Sequence, residues 1–140
     1  MAHHGPIILV DDDLNDIDVV TAAIKELGFS NRIQQFTGAK SAIAYLETTQ
    51  EIPFIILCDI RMQQMNGLEF RNAVNQNEYL RKKSIPFIFL TAAVSQEIVN
   101  IAYDLTVQGF LIKPATFNEL KAKLLTVLNY WTACVHPNSF

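Results

Sequence analysis

The sequence predicts an α/β domain: five parallel strands alternating with five helices that cover both faces of the sheet. Three observations carry that prediction. Short apolar runs stand at 7–10, 54–58, 86–90 and 109–112. Each is bounded by loops and reads as a strand buried on both faces. Between them lie segments with apolar residues at helical spacing, opened by capping residues. Four of the five strands also end in a polar or ionisable residue, at the edge where open α/β sheets place their chemistry.

The elements follow in order. Residues 7–10, IILV, form the first strand, and Asp11, Asp12 and Asp13 follow it. Asp13 can cap the first helix, whose apolar face is Leu14, Ile17, Val20, Ala23 or Ile24 and Leu27. Gly28 stops that helix. A weaker second strand over 32–36 is anchored by Ile33 and Phe36, and a second helix over 39–47 by Ala42, Ile43 and Leu46. The third strand ends at Asp59. Asn66, with Glu69 three residues on, opens a third helix through Leu68, Phe70 and Val74 and on to Leu80. Its last part, NQNEYLRKKS, is polar and basic and is expected to project into solvent. Pro86 starts the fourth strand, where proline is tolerated, and Thr91 follows it. Ser95 caps a fourth helix with Ile98, Ile101, Ala102 and Leu105 inward. The fifth strand, 109–112, leads to Lys113-Pro114. Thr116 and Glu119 form a capping box for the last helix, with Phe117, Leu120, Leu124, Val127, Leu128 and Trp131 as its stripe.

The 140 residues suit one domain over 1–140, with a core of about 6–133 and a loose tail over 134–140. A formal charge of −3 gives no electrostatic reason to expect nucleic-acid binding. No apolar stretch is long enough to span a membrane, and MAHHGP lacks the features of a signal peptide. The two cysteines, Cys58 and Cys134, have no metal-ligand spacing and read as reduced thiols of a cytoplasmic protein. His3 and His4 read as a solvated terminus.

In a parallel sheet the strand-end residues share one edge. That edge collects Asp11, Asp12, Asp59, Thr91 and Lys113. A helix N-terminus favours acids, which accounts for Asp13. Asp11 and Asp12 come directly off a buried strand, and adjacent carboxylates repel unless a cation lies between them. A small set of hard oxygen ligands suits Mg²⁺. Asp59 can act as a nucleophile toward a phosphoryl group, giving an acyl phosphate. Lys113, kept extended by Pro114, is expected to form a salt bridge with Asp59 or its phosphate, and the Thr91 hydroxyl can donate to a phosphate oxygen.

The segments ILVDDD at 8–13, ILCDIRMQQMNG at 56–67, FLTA at 89–92 and GFLIKP at 109–114 together resemble a response-regulator receiver domain of two-component signalling. The resemblance covers nearly the whole chain. It implies a flavodoxin-like, doubly wound (βα)5 fold with strand order 2-1-3-4-5. It implies Asp59 as phosphoacceptor and Mg²⁺ or Mn²⁺ held by Asp11, Asp12, Asp59 and the Arg61 backbone carbonyl. Thr91 and Lys113 would bind the phosphoryl group, and Thr91 and Phe110 would form a switch pair. The donor would be a sensor histidine kinase or a histidine phosphotransfer protein. Output would pass to a protein partner or a homodimer through helix 4, strand 5 and helix 5, because the chain ends after helix 5 with no output domain. Val99, Tyr103, Tyr130 and Trp131 are candidate interface residues or, equally, packing residues. On this reading the chain is a self-phosphorylating switch and not an enzyme.

Two positions depart from the family pattern. Gln63 stands where proline is common and is expected to loosen the loop after Asp59. Asn66 stands where an acid is common. Arg61 and Ala93, each two residues past a key position, imply slow to intermediate autodephosphorylation. An aspartate-nucleophile phosphatase of the haloacid-dehalogenase type would want a second acid at position 61, where Arg61 stands. A Rossmann-type nucleotide site would want a glycine-rich loop after Val10, and none is there.

Overall fold

The structure is a computed structural model that describes residues 2–137. A 3-10 turn, Ala2–His4, precedes β1 (Ile7–Val10), α1 (Leu14–Glu26), β2 (Ile33–Phe36), α2 (Ala39–Thr48), β3 (Ile55–Cys58) and α3 (Gly67–Gln76). Then come α4 (Glu78–Lys83), β4 (Phe87–Thr91), α5 (Gln96–Asp104), β5 (Gly109–Ile112) and α6 (Phe117–Ala133). The strands are parallel in the order β2-β1-β3-β4-β5, the flavodoxin-like order that the resemblance implies.

Side chains alternate across the central strands and divide the core into two layers. Ile8, Val10, Ile56, Cys58, Phe87 and Phe89 pack with Ala42 and Leu46 of α2, Phe70 of α3 and Ala102 of α5. Ile7, Leu9, Ile55, Leu57, Ile88 and Leu90 pack on the other face with Ile17 and Ile24 of α1 and Leu120, Leu124 and Leu128 of α6. The continuous apolar runs exist because each strand must be apolar on both faces. That holds for β1, β3 and β4. The outer strands β2 and β5 are only partly buried, because each has a neighbour on one side alone. The expectation that the 109–112 run is buried on both faces is corrected for β5.

The third predicted helix is two helices. Asn77 adopts extended backbone and serves both, its N–H bonding to Ala73 and Val74 carbonyls and its side chain accepting from Leu80 N at 3.1 Å. A mid-helix Asn whose side chain competes for backbone donors breaks the helix. Glu78 in the first turn of α4 and Arg81, Lys82 and Lys83 in its last complement the macrodipole of the new helix. Nor does this segment simply project into solvent: Leu80 is buried in the core layer of α2 and α3.

Other expectations also change. Leu14, first in α1, is exposed at the sheet edge, so the inner face of α1 begins at Ile17. Ile101 is exposed and only Ala102 of α5 is fully buried, because α5 covers the margin of the sheet. Thr116 caps α6 by accepting from Glu119 N at 3.2 Å, whereas Asn66 and Glu69 form the complete reciprocal box at α3. His3, Cys134 and His136 are not loose. His3 Nε2 lies 2.8 Å from the Cys134 carbonyl, and the His136 ring is buried beside His3, Phe54 and Trp131. Buried and half-buried rings at the amino ends of the strands thus bring residues near both termini together. Residues 138–140 of the expected tail lie outside the described residues. No helix among the described residues is long and apolar enough to cross a membrane.

Arg71 was not singled out by sequence, yet it lies on the buried stripe Gly67, Phe70, Arg71, Val74 of α3. Its guanidinium donates to the Leu105 carbonyl at 3.0 Å and the Thr106 carbonyl at 2.9 Å, and lies over the Phe87 ring. These are the open carbonyls at the end of α5, so Arg71 acts as a C-terminal cap delivered from another helix. Replacing it, Arg71→Met, is expected to cost about 2 kcal/mol. Asn75 and Gln108 still serve the same carbonyls, which limits the loss. Urea denaturation measures the cost, and an unchanged midpoint would contradict the capping role.

Candidate functional site: an acidic cluster at the carboxyl edge of the sheet

Strand register assembles the site. Val10 pairs with Cys58, so Asp11 and Asp59 leave the sheet side by side, and Asp59 N donates to the Val10 carbonyl at 2.9 Å. Thr91 pairs with Ile112, and Lys113 N donates to the Thr91 carbonyl at 2.8 Å. The five predicted strand-end residues thus do share one edge.

Asp11, Asp12 and Asp59 each offer a carboxylate oxygen within 4.8 Å of the others. Asp11 is buried, Asp59 half-buried and Asp12 exposed. Three hard anionic oxygens this close repel one another, and the set fits a divalent cation that keeps part of its water shell. Arg61 lies exposed in the β3–α3 loop, and its carbonyl accepts no hydrogen bond among the described residues, which leaves it open as a further oxygen donor. A groove of about 480 Å³ opens beside Asp12, lined in part by Thr37, Lys40, Gln63 and Met65.

Lys113 is the main correction. It does not pair with Asp59. Its ammonium bonds to Asp11 Oδ2 at 2.8 Å and Asp16 Oδ2 at 2.8 Å. Asp11 is the most buried acid of the cluster and has the largest need of a counter-charge, so it takes the cation. Asp16 escaped the sequence reading because an acid in the first helical turn already has an explanation in the dipole. Burial alone would lower the pKa of Lys113, but the bonds to Asp11 and Asp16 outweigh it and hold the ammonium above its usual range. Burial moves the Asp11 carboxyl the other way from its partners' pull: desolvation raises it, against the Lys113 bond and the Asp13 amide, and Asp59 adds to the rise. Cys58, directly beneath, is fully buried. Its thiol is pushed well above its ordinary range by burial and by Asp59 and Asp11, which suits an inert core residue.

Thr91 is buried and Phe110 half-buried. The Phe110 ring ends an aromatic row that runs Phe70, Phe87, Phe89, Phe110 with centroid spacings of 5.3, 5.3 and 5.8 Å. The row connects the switch candidates to the core under α3. Lys113 and Pro114 are joined by a trans bond, as are all other described peptides. On the α5–β5–α6 side, Tyr103, Ile112 and Tyr130 are exposed, Val99 is half-buried, and Trp131 packs on His136.

The family model for the response regulator receiver domain matches residues 7–125. A probable methanogenesis regulatory protein, FilR2 of Methanothrix harundinacea, is 31% identical over 129 residues, which span 89% of this chain and 82% of that protein. A probable chemotaxis protein CheY of Rhizobium etli is 30% identical over 122 residues, 86% of this chain and 90% of that protein. Among solved structures, the phosphorylated cyanobacterial phytochrome response regulator RcpA superposes with a TM-score of 0.84 at 21% identity, covering 96% of this chain and 99% of that one. The Mn²⁺-bound form of response regulator Rcp1 gives 0.81 at 23% identity, covering 94% and 98%. With the fold, the strand-end acids and a family match over most of its length, the chain belongs to the response regulator receiver domains of two-component signalling.

Proposed function

We propose that Asp59 accepts a phosphoryl group from a phosphohistidine of a sensor histidine kinase or histidine phosphotransfer protein, and that the charge so placed changes the face formed by α5, β5 and α6. The observation that carries this reading is the convergence of three carboxylates and one ammonium on a single sheet edge. In the transfer a carboxylate oxygen of Asp59 forms a bond to phosphorus as the bond to the donor nitrogen breaks. A divalent cation, Mg²⁺ or Mn²⁺, would supply Lewis-acid stabilisation of charge on the transferring oxygens. Asp11, Asp12, Asp59 and the Arg61 carbonyl would hold it.

Lys113 already carries a full positive charge at the site, shared between Asp11 and Asp16. A phosphoryl group on Asp59 adds negative charge and strong acceptor oxygens within its reach, and competes for that ammonium. The Thr91 hydroxyl offers a second donor. Its movement toward the phosphate would free space beneath Phe110, and the ring would turn inward on the Phe89 end of the aromatic row. The exposed Tyr103, Ile112 and Tyr130 then form the surface that a protein partner or a second copy reads. Arg61 and Ala93 are both exposed beside the site; Arg61 is bulky and Ala93 offers no group to orient an attacking water, in keeping with slow to intermediate loss of the phosphoryl group.

Acetyl phosphate with Mg²⁺ tests the reading. The intact chain should gain the mass of one phosphoryl group, and the gain should vanish when the cation is chelated. A chain that gains no mass under these conditions overturns it.

A further inference from the structure

Each carboxylate of the cluster is held by one main-chain amide. Asp13 N donates to Asp11 Oδ1 at 2.9 Å, and Ile60 N donates to Asp59 Oδ1 at 2.9 Å. Gln63 N donates to Asp12 Oδ2 at 3.1 Å. The first two donors sit one or two residues from the acid they hold. The third is 51 residues away, in the β3–α3 loop, and it holds the one exposed acid of the three. An exposed carboxylate is otherwise free to turn about its side-chain bonds.

The loop is built to aim this amide. Gln64 takes a left-handed conformation at φ 67°, and Met65 N donates to the Gln63 carbonyl at 2.8 Å. Gly67 N closes the loop on the Ile60 carbonyl at 2.8 Å. Proline at 63 has no N–H and cannot make the bond to Asp12. The expected loosening of this loop by Gln63 is therefore opposed by a tie that glutamine makes possible, through its backbone and not its side chain.

We propose that the Gln63 main-chain amide is a positioning element for cation binding: it fixes one oxygen of Asp12 and leaves the other aimed at the cluster. The proposal rests on the reading that Asp11, Asp12 and Asp59 hold a divalent cation. Outer donors of this kind orient ligating carboxylates, and their loss costs tenfold or more in metal affinity.

The test titrates Mn²⁺ into wild type, Gln63→Ala and Gln63→Pro and reads the dissociation constant by calorimetry. Alanine keeps the amide and should match wild type. Proline removes it and should weaken binding about tenfold. In wild type, amide exchange followed by NMR should show Gln63 protected both without cation and at saturating Mg²⁺. Equal or tighter binding by Gln63→Pro overturns the proposal, as does a loss in Gln63→Ala equal to that in Gln63→Pro. Should Gln63→Pro fail to fold, the exchange experiment decides: loss of Gln63 protection when Mg²⁺ binds means that the amide competes with the cation and does not position its ligand. A wild type that binds no Mn²⁺ removes the cation site itself, a result distinct from any difference among the variants.

Discussion

Asp59→Asn is expected to abolish phosphoryl acceptance while leaving the fold intact. The amide is neutral and its nitrogen lone pair is delocalised, so neither atom can attack phosphorus as a carboxylate oxygen does. The fold has no need of the charge. The Asp59 main-chain N–H still bonds to Val10, and an amide oxygen can still accept from Ile60 N. Removing one of three neighbouring charges also relieves repulsion of about 1 kcal/mol for an exposed pair, rising as the local dielectric falls. The variant should therefore melt at a higher temperature than wild type in cation-free buffer, and gain less from added Mg²⁺. Intact mass after acetyl phosphate and a pair of melting curves check both statements. Phosphoryl uptake by Asp59→Asn equal to wild type would place the acceptor elsewhere.

Gly67→Ala is expected to destabilise the protein by about 3 kcal/mol, at the upper end of the range for overpacking. Gly67 is buried at the first turn of α3, under the site. A methyl group there would lie 2.4 Å from the Asp59 carbonyl oxygen, 2.8 Å from the Ile60 Cα and 2.9 Å from a Phe89 ring carbon. Two of these three atoms are backbone and have no rotamer to yield. The clash also pushes on the peptide that follows Asp59, so cation binding should weaken with stability. Gly38→Ala is the control, because nothing lies within 4 Å of its added carbon. Gly38 is the N-cap of α2, where alanine is a poorer residue than glycine, so the change should cost less than about 1 kcal/mol. Urea midpoints at unchanged slope measure both. A Gly67→Ala midpoint equal to that of Gly38→Ala would mean that the loop adapts without strain.

Much of the site was legible because it depends on strand ends. In a parallel sheet, the residue after each apolar run falls on the same edge whatever the details of packing. Asp11, Asp12, Asp59, Thr91 and Lys113 could therefore be grouped before any coordinate was known. Pairing within that group was not legible. Lys113 chose Asp11 over Asp59 because the burial of a carboxylate decides where a counter-charge is worth most, and the more exposed Asp16 joins it from α1. Arg71 was readable in hindsight from its place on the α3 stripe. A charge on an apolar stripe, however, needs a set of open carbonyls to explain it, and those come from the end of α5, more than thirty residues away.

The amino-acid sequence by itself determined the class of fold, the capping of α1, α3, α5 and α6, and the identity of the strand-end acids. These follow from hydrophobic period and from hydrogen bonds between near neighbours, which act over a few residues. The tertiary structure decided the break at Asn77, the exposure of Leu14 and Ile101, the capture of His136, the partners of Lys113 and the hold of Gln63 on Asp12. Each of these depends on which distant surfaces meet. Long-range contact assigns burial, and burial sets the cost of leaving a charge or a backbone donor without a partner.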